Sequence, residues 1–253
     1  MIPFFRKIRK TLADDNKPIK YLRYAIGEIV LVVIGILIAL QINNWNENRK
    51  DNLKEVANLN SLKSELEISL KELKSDYNST KLFHNSTLKV QNYMRKKTRI
   101  SDSMYMDFYL SYQFSGFFPK VSTYETFKSG NLELIKSDSL KILITDIYEA
   151  GYKRILSRNN TTRISTRINY YQEHFRITSN AKPDVSLMQL RNSFRAIPNN
   201  YEYLMNDPKY ESLISEAIFD RRLLLRDYEN TIELVRKVIS EIEDYLKTKQ
   251  EIK

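Results

Sequence analysis

Ile29-Val-Leu-Val-Val-Ile-Gly-Ile-Leu-Ile-Ala-Leu40 holds twelve consecutive positions without a polar side chain. Extending the stretch to Tyr24 and Ile42 adds only Glu28 and Gln41 to its polar side chains beyond the end tyrosine. As a helix, positions 24–42 span roughly 28 Å, close to the ~30 Å hydrocarbon core of a bilayer. Tyr21 and Tyr24 stand at one end and Trp45 at the other, where amphipathic rings settle at headgroup level. The buried core helix of a soluble protein is the alternative for such a run; the aromatic ends and flanking charge favour a span.

The charge around the run sets its direction. Residues 1–23 carry Arg6, Lys7, Arg9, Lys10, Lys17, Lys20 and Arg23 against Asp14 and Asp15, a net +5. After the span no positive charge occurs until Arg49. The positive-inside rule therefore predicts a basic cytoplasmic arm (1–23), a transmembrane signal anchor (24–42) and a domain outside the cytoplasm (43–253). A cleaved signal peptide is the competing reading. The long basic region and the lack of a small-x-small site after the run, where Ala39-Leu40-Gln41 stands, argue against it.

Composition narrows the rest. The chain has 253 residues, 42% of them hydrophobic, with Gly 5 and Pro 6, which suits long helices rather than turn-rich sheets. Cys 0 removes disulfides, cysteine metal sites and cysteine nucleophiles together. Half of the +10 net charge sits in the arm 1–23, and the remainder is interleaved with acids. That pattern is unlike a phosphate-tracking groove, so no nucleic-acid partner is expected. The arm, with Phe4, Phe5, Ile8 and Leu12 on one side, suits anionic lipid headgroups or serves only as the topology signal.

Within the span, Glu28, Val32, Gly35, Ala39 and Ile42 fall on one helical stripe. Gly35 and Ala39 form a small-xxx-small pair that lets two helix backbones approach closely in lipid. The stripe predicts a homo-oligomer or docking on another membrane helix. Glu28 either reaches the cytoplasmic interface or serves as a carboxylate at a helix–helix contact.

Beyond the span, residues 46–97 contain neither Pro nor Gly. A heptad frame places Val56, Leu70 and Tyr77 at a, and Leu59, Leu66, Leu73 and Thr80 at d, with Lys63 and His84 interrupting. The span is expected to run straight into this helix. A second long helix is expected over 209–249, capped by Asp207 and started by Pro208. There Tyr210, Ala217, Leu224, Thr231, Val238 and Tyr245 recur every seven; Ile214, Tyr228, Val235 and Ile242 fill the next ridge, broken by Arg221. A third is expected from Asp138 or Ser139 to about Phe175 through Ile142, Ile147, Tyr148, Ile155, Ile164 and Ile168, with Gly151 and Asn159-Asn160 as bends. Shorter helices are expected at 103–113, 123–129 and 185–195. The fold class is all-α: one transmembrane helix, then a long-helix antiparallel bundle.

Aromatic residues crowd 105–127, and Phe108, Tyr112, Phe117, Phe118 and Tyr124 are candidates for a partner surface, weighed against ordinary bundle core. Catalytic signatures do not occur: no phosphate-cradling glycine loop, no H-E-x-x-H and no G-x-S-x-G. His84 and His174 lie far apart in the chain, and Glu173-His174 beside Tyr170 and Tyr171 reads as a helix surface rather than a metal or proton-transfer site. No catalytic residue, cofactor or metal is expected.

The stretch Tyr24-Ala-Ile-Gly-Glu-Ile-Val-Leu-Val-Val-Ile-Gly-Ile-Leu-Ile-Ala-Leu-Gln-Ile-Asn-Asn-Trp-Asn-Glu47, preceded by Phe-Phe-Arg-Lys-Ile-Arg-Lys (4–10), resembles an uncharacterised family of Bacteroidota membrane proteins, domain-of-unknown-function family 6090. Ser122-Thr-Tyr-Glu-Thr-Phe-Lys-Ser-Gly-Asn-Leu-Glu-Leu-Ile-Lys136 resembles that family's second block. The resemblance implies a single-pass inner-membrane protein with a periplasmic helical domain, and it implies no activity. It also makes Asp102-Ser103-Met104 and Asp138-Ser139-Leu140 similar to O-glycosylation acceptors of that phylum, although helix N-capping is the preferred reading of Ser103 and Ser139. The function expected is a non-catalytic, membrane-anchored scaffold, adaptor or sensor-like module. The alternative is a single-span subunit of an ion-driven or export complex that uses Glu28.

Overall fold

The computed structural model describes residues 18–158, 161–180, 186 and 193–251. The lipid-binding expectation for positions 1–17 lies outside them. The chain forms two units, one ending at Ala57 and the other beginning at Asn58.

Helix α1 runs unbroken over Pro18–Lys96, 79 residues, as the absence of a breaker after the apolar run predicts. Proline suits its first turn, where no amide donor is needed. The helix ends in a Schellman turn: Lys97 takes φ 46°, Thr98 N donates to Tyr93 O (3.1 Å) and Lys97 N to Met94 O (3.3 Å). The Lys97 ammonium also donates to Asn206 Oδ1 at 2.7 Å, which ties the turn to a distant part of the chain. Among the described residues, α1 is the one helix long and apolar enough to cross a membrane. None of that apolar window is buried within the protein (0%), unlike the core helix of a soluble protein.

The second unit is a bundle of four legs. Residues 58–96 of α1 are the first. The second returns through α2 (Met104–Tyr112), an extended stretch, and α3 (Ser122–Thr126). Its direction follows from partners whose numbers fall as its own rise: Tyr93 Oη and Ser86 Oγ donate to Asp107, Thr80 meets Ser115, and Glu65 accepts from Ser122. The third leg comprises α4 (Asp138–Thr145), a π-helical turn (Asp146–Tyr152), α5 (Lys153–Arg158) and α6 (Thr161–His174). The fourth, reached after the strands and the short α7 (Tyr201–Leu204), is α8 (Pro208–Glu251). It lies antiparallel to the first leg, since Lys63 meets Glu243 at 2.7 Å, Tyr77 meets Glu229 at 2.6 Å, and Arg221 meets Phe83 O at 3.2 Å.

The third leg departs from the α-helix at Gly151, one of its expected bends, where a π turn widens the chain as Gly151 packs on Thr231, a Cβ there falling 3.2 Å from the threonine side chain. Other expectations need correction. Ile142 is 62% exposed, while Leu140, Ile144, Ile147 and Tyr152 form the buried face. The leg stops at His174, and Phe175–Ser179 (β1) pairs antiparallel with Phe194–Pro198 (β2), Phe175 opposite Pro198. The helix expected over 185–195 therefore fails at Phe194 and Arg195; residues 185 and 187–192 lie outside the described ones. The strand form lets Phe194 stack on Tyr109 of α2 (5.1 Å, 11°) and buries Ala196 fully.

On the first leg the d ridge is right, with Leu59, Leu66, Leu73 and Thr80 buried, but its companion is wrong. Leu62, Ser69, Phe83 and Val90 face the core, one position before the predicted a ridge, where Lys63, Leu70, Tyr77 and His84 are half-buried. The capping expectations divide. Asp207 caps α8, accepting from Lys209 N at 2.9 Å. Ser103 does not cap α2, and its hydroxyl meets Ser101 instead. Ser137, not Asp138 or Ser139, caps α4 by accepting from Leu140 N at 3.3 Å.

The block 122–136 serves the packing. Val121 gives α3 no side-chain cap, and Glu65 supplies one from across the bundle, accepting from Thr123 N at 2.8 Å and Ser122 Oγ at 3.0 Å. A carboxylate there also complements the positive end of the helix. Tyr148 donates to the other Glu65 oxygen at 2.8 Å and stacks on Tyr124 (4.1 Å, 2°). One buried acid thus joins three legs.

Candidate functional site

In the first unit, Val32, Gly35 and Ala39 are exposed on α1 and Glu28 is half-buried. A Cβ built on Gly35 meets nothing within 4 Å, so the protein itself leaves the small-residue notch open. Trp45 is exposed at the end of the run. The side chains of Tyr21 and Tyr24 lie outside the described ones.

In the second unit the aromatic segment is mostly core. Phe108, Phe117 and Tyr124 are buried, and Tyr112 is half-buried and stacked on Tyr171 (4.5 Å, 29°). Of the five residues weighed as a partner surface, Phe118 alone is exposed. The physical reason is that 105–127 forms the second leg, so its rings fill the bundle. His174 lies tilted against the Tyr170 ring at 4.2 Å, and no cluster of three or more metal-ligating residues occurs among the described residues.

The least expected group in the interior is Arg221. It breaks the apolar recurrence of α8 yet is only 6% exposed. Its guanidinium donates to Ser111 O (2.8 Å) and Gln113 O (2.6 Å) at the end of α2, to Phe83 O, and to the Thr87 hydroxyl. A cation there answers the bare carbonyls of a helix C-terminus. All these acceptors are neutral. Burial, and then the charge of Arg167, lower its pKa to about 9, leaving it cationic at neutral pH.

Beside it lies a cavity of about 30 Å³ lined by Arg158, Arg167, Arg221, Asp220, Thr80 and Ser115, among others. Arg158 is paired with Asp227 (2.8 Å) and Asp220 with Arg163 (2.8 Å). Arg167 Nη1 is buried with no hydrogen-bond partner. Such an orphan donor costs about 1–3 kcal/mol.

A second polar cluster joins the first leg to Tyr152 and Tyr228. Glu72 Oε2 and the hydroxyls of Ser69, Tyr152 and Tyr228 are buried without hydrogen-bond partners. Burial, with Glu72 adding repulsion, pushes Asp76 up to about 6. A carboxyl whose folded pKa is raised contributes stability at low pH and loses it as pH climbs from about 4 through 6. Asp76→Asn is therefore expected to raise the melting temperature at pH 7.5 and leave it nearly unchanged at pH 4, followed by circular dichroism. Equal shifts at both pH values would contradict this.

An exposed apolar helix that continues in sequence into an all-α bundle defines a class of helical protein with, among the described residues, one candidate membrane span. The profile of a family of unknown function, DUF6090, matches residues 28–182, more than half of the chain, and the chain belongs to that family. The match takes in most of the apolar run, the first two legs, the third leg and β1. Comparison with curated proteins and with solved structures finds no match.

Proposed function

We propose that the protein is a non-catalytic, membrane-anchored helical module, a scaffold, adaptor or sensor-like part of a bacterial inner-membrane assembly. The single observation that carries this reading is the apolar run 29–40, left entirely unburied by the rest of the protein. Exposed apolar surface of that extent demands a covering, and a bilayer is the covering its length fits. The net +5 of residues 1–23 supports a cytoplasmic N-terminus held against anionic headgroups, with residues 43–253 in the periplasm. The non-catalytic part rests on the buried acids. Glu65, Asp107, Asp207 and Asp227 are each engaged by hydroxyl, amide or cationic donors that tie the legs together.

The notch at Gly35 and Ala39 is the contact for a second copy or another membrane helix. Purification of the full chain from native membranes in mild detergent tests both points. The protein is expected in the membrane fraction, co-eluting with a second copy or a membrane partner, and Gly35→Ile is expected to weaken that association at least tenfold. A soluble chain, or association unaltered by Gly35→Ile, counts against it.

A further inference from the structure

The cavity beside Arg221 carries an electrostatic imbalance that the fold does not resolve. Three arginines and one aspartate line it. Arg158 and Asp220 each have an ion-pair partner outside the lining, Asp227 and Arg163. Arg221 is held only by carbonyl and hydroxyl oxygens, and one terminal nitrogen of Arg167 donates to nothing. Arg221 is buried and Arg167 half-buried, and the two guanidiniums repel each other with only part of their hydration left and only Asp220 in the lining to offset them. A buried charge of this kind is stabilised by a counter-ion.

The cavity's shape and donors say which kind. Its volume of about 30 Å³ exceeds the ~10–15 Å³ that one water needs, and suits a single small guest. Thr80 and Ser115 share one hydrogen bond at 2.7 Å, so one hydroxyl proton bridges them and the pair keeps a second that can be donated. Apolar lining from Phe83, Phe114 and Leu224 favours a weakly hydrated, singly charged ion.

We propose that this cavity binds a small monovalent anion, a halide or a carboxylate tip, held by the Arg167 guanidinium and the Thr80–Ser115 hydroxyl pair and balanced by the charge of Arg221. The site lies on the first, second, third and fourth legs at once, so the anion locks the bundle together. This proposal is independent of the membrane reading.

The test uses the full chain in detergent, equilibrated in the sodium salt of HEPES, whose bulky sulfonate carries no carboxylate and is too large for the cavity. Chloride or acetate is then exchanged in at constant ionic strength. A saturable rise in melting temperature of several degrees is expected. A response to chloride alone makes the guest a halide, and to acetate alone a carboxylate; a response to both supports the shared chemistry. Arg167→Gln is expected to abolish the rise and Arg167→Lys to retain part of it. No response to either anion, or an undiminished response in Arg167→Gln, overturns the proposal. Should Arg167→Gln fail to fold, chlorine magnetic-resonance linewidths decide for the halide, and calorimetric titration of acetate decides for the carboxylate. Saturable binding in either upholds the site, and its lack in both removes it.

Discussion

Arg221→Ala is expected to destabilise the helical domain by about 4 kcal/mol, the sum of a few buried acceptors losing their donor and a cavity opening behind them. Ser111 O and Gln113 O lie at the end of α2, and both accept from this one guanidinium. Losing it bares the C-terminal end of α2, a helix that packs on β2 and on α8. Arg221→Met keeps most of the volume and relieves the desolvated charge, so its loss is expected to be about half as large. Urea unfolding followed by circular dichroism measures both. A loss below about 1 kcal/mol for alanine would show that the tie between legs is not made by this residue.

The second large effect belongs to the apolar run. Val33→Asp with Ile34→Asp puts two carboxylates at its middle, each costing about 2.5–3.5 kcal/mol where the native residue contributed a few tenths favourably. The combined ~6 kcal/mol lowers the insertion equilibrium by about four decades. The doubly substituted chain is expected to leave the membrane pellet on alkaline carbonate extraction, while Val33→Leu with Ile34→Leu remains. Retention of the aspartate form would mean that this run is not what holds the protein.

Much of the architecture was legible because its signals are local. The run 29–40 has no polar interruption to misread, and α8 keeps a seven-residue recurrence from Tyr210 to Val238 that burial reproduces. The first leg was half legible. Its inner ridge, Leu62-Ser69-Asp76-Phe83-Val90, carries two polar residues, while the neighbouring ridge carries Leu70 and Tyr77, so counting apolar positions chose the wrong one. Ser69 and Asp76 face inward because tyrosines from the third and fourth legs meet them there, and those contacts are long-range. The strand pair escaped because helical spacing persists up to Phe175, and its partner Phe194-Arg-Ala-Ile-Pro198 has neither clean alternation nor a tight turn beside it.

The arginine cavity was legible only as an anomaly. Arg158 and Arg167 interrupt no apolar recurrence, and Arg167 and Arg221 belong to different legs, with the strand pair between them in sequence. The one available signal was Arg221 itself, a cation at a core register position. A charge placed where the period demands a hydrophobe marks either a surface or a buried site that needs it, and only the tertiary contacts of Phe83, Ser111 and Gln113 show which.

Reporter fusions at Lys253 of the full chain measure the central claim directly. A phosphatase that folds only outside the cytoplasm is predicted to be active in that position, and a fluorescent protein that matures only in the cytosol is predicted to stay dark. An inactive phosphatase with a bright cytosolic fluorophore would show that residues 24–42 do not carry the domain across a membrane, and the anchored-module account would be wrong.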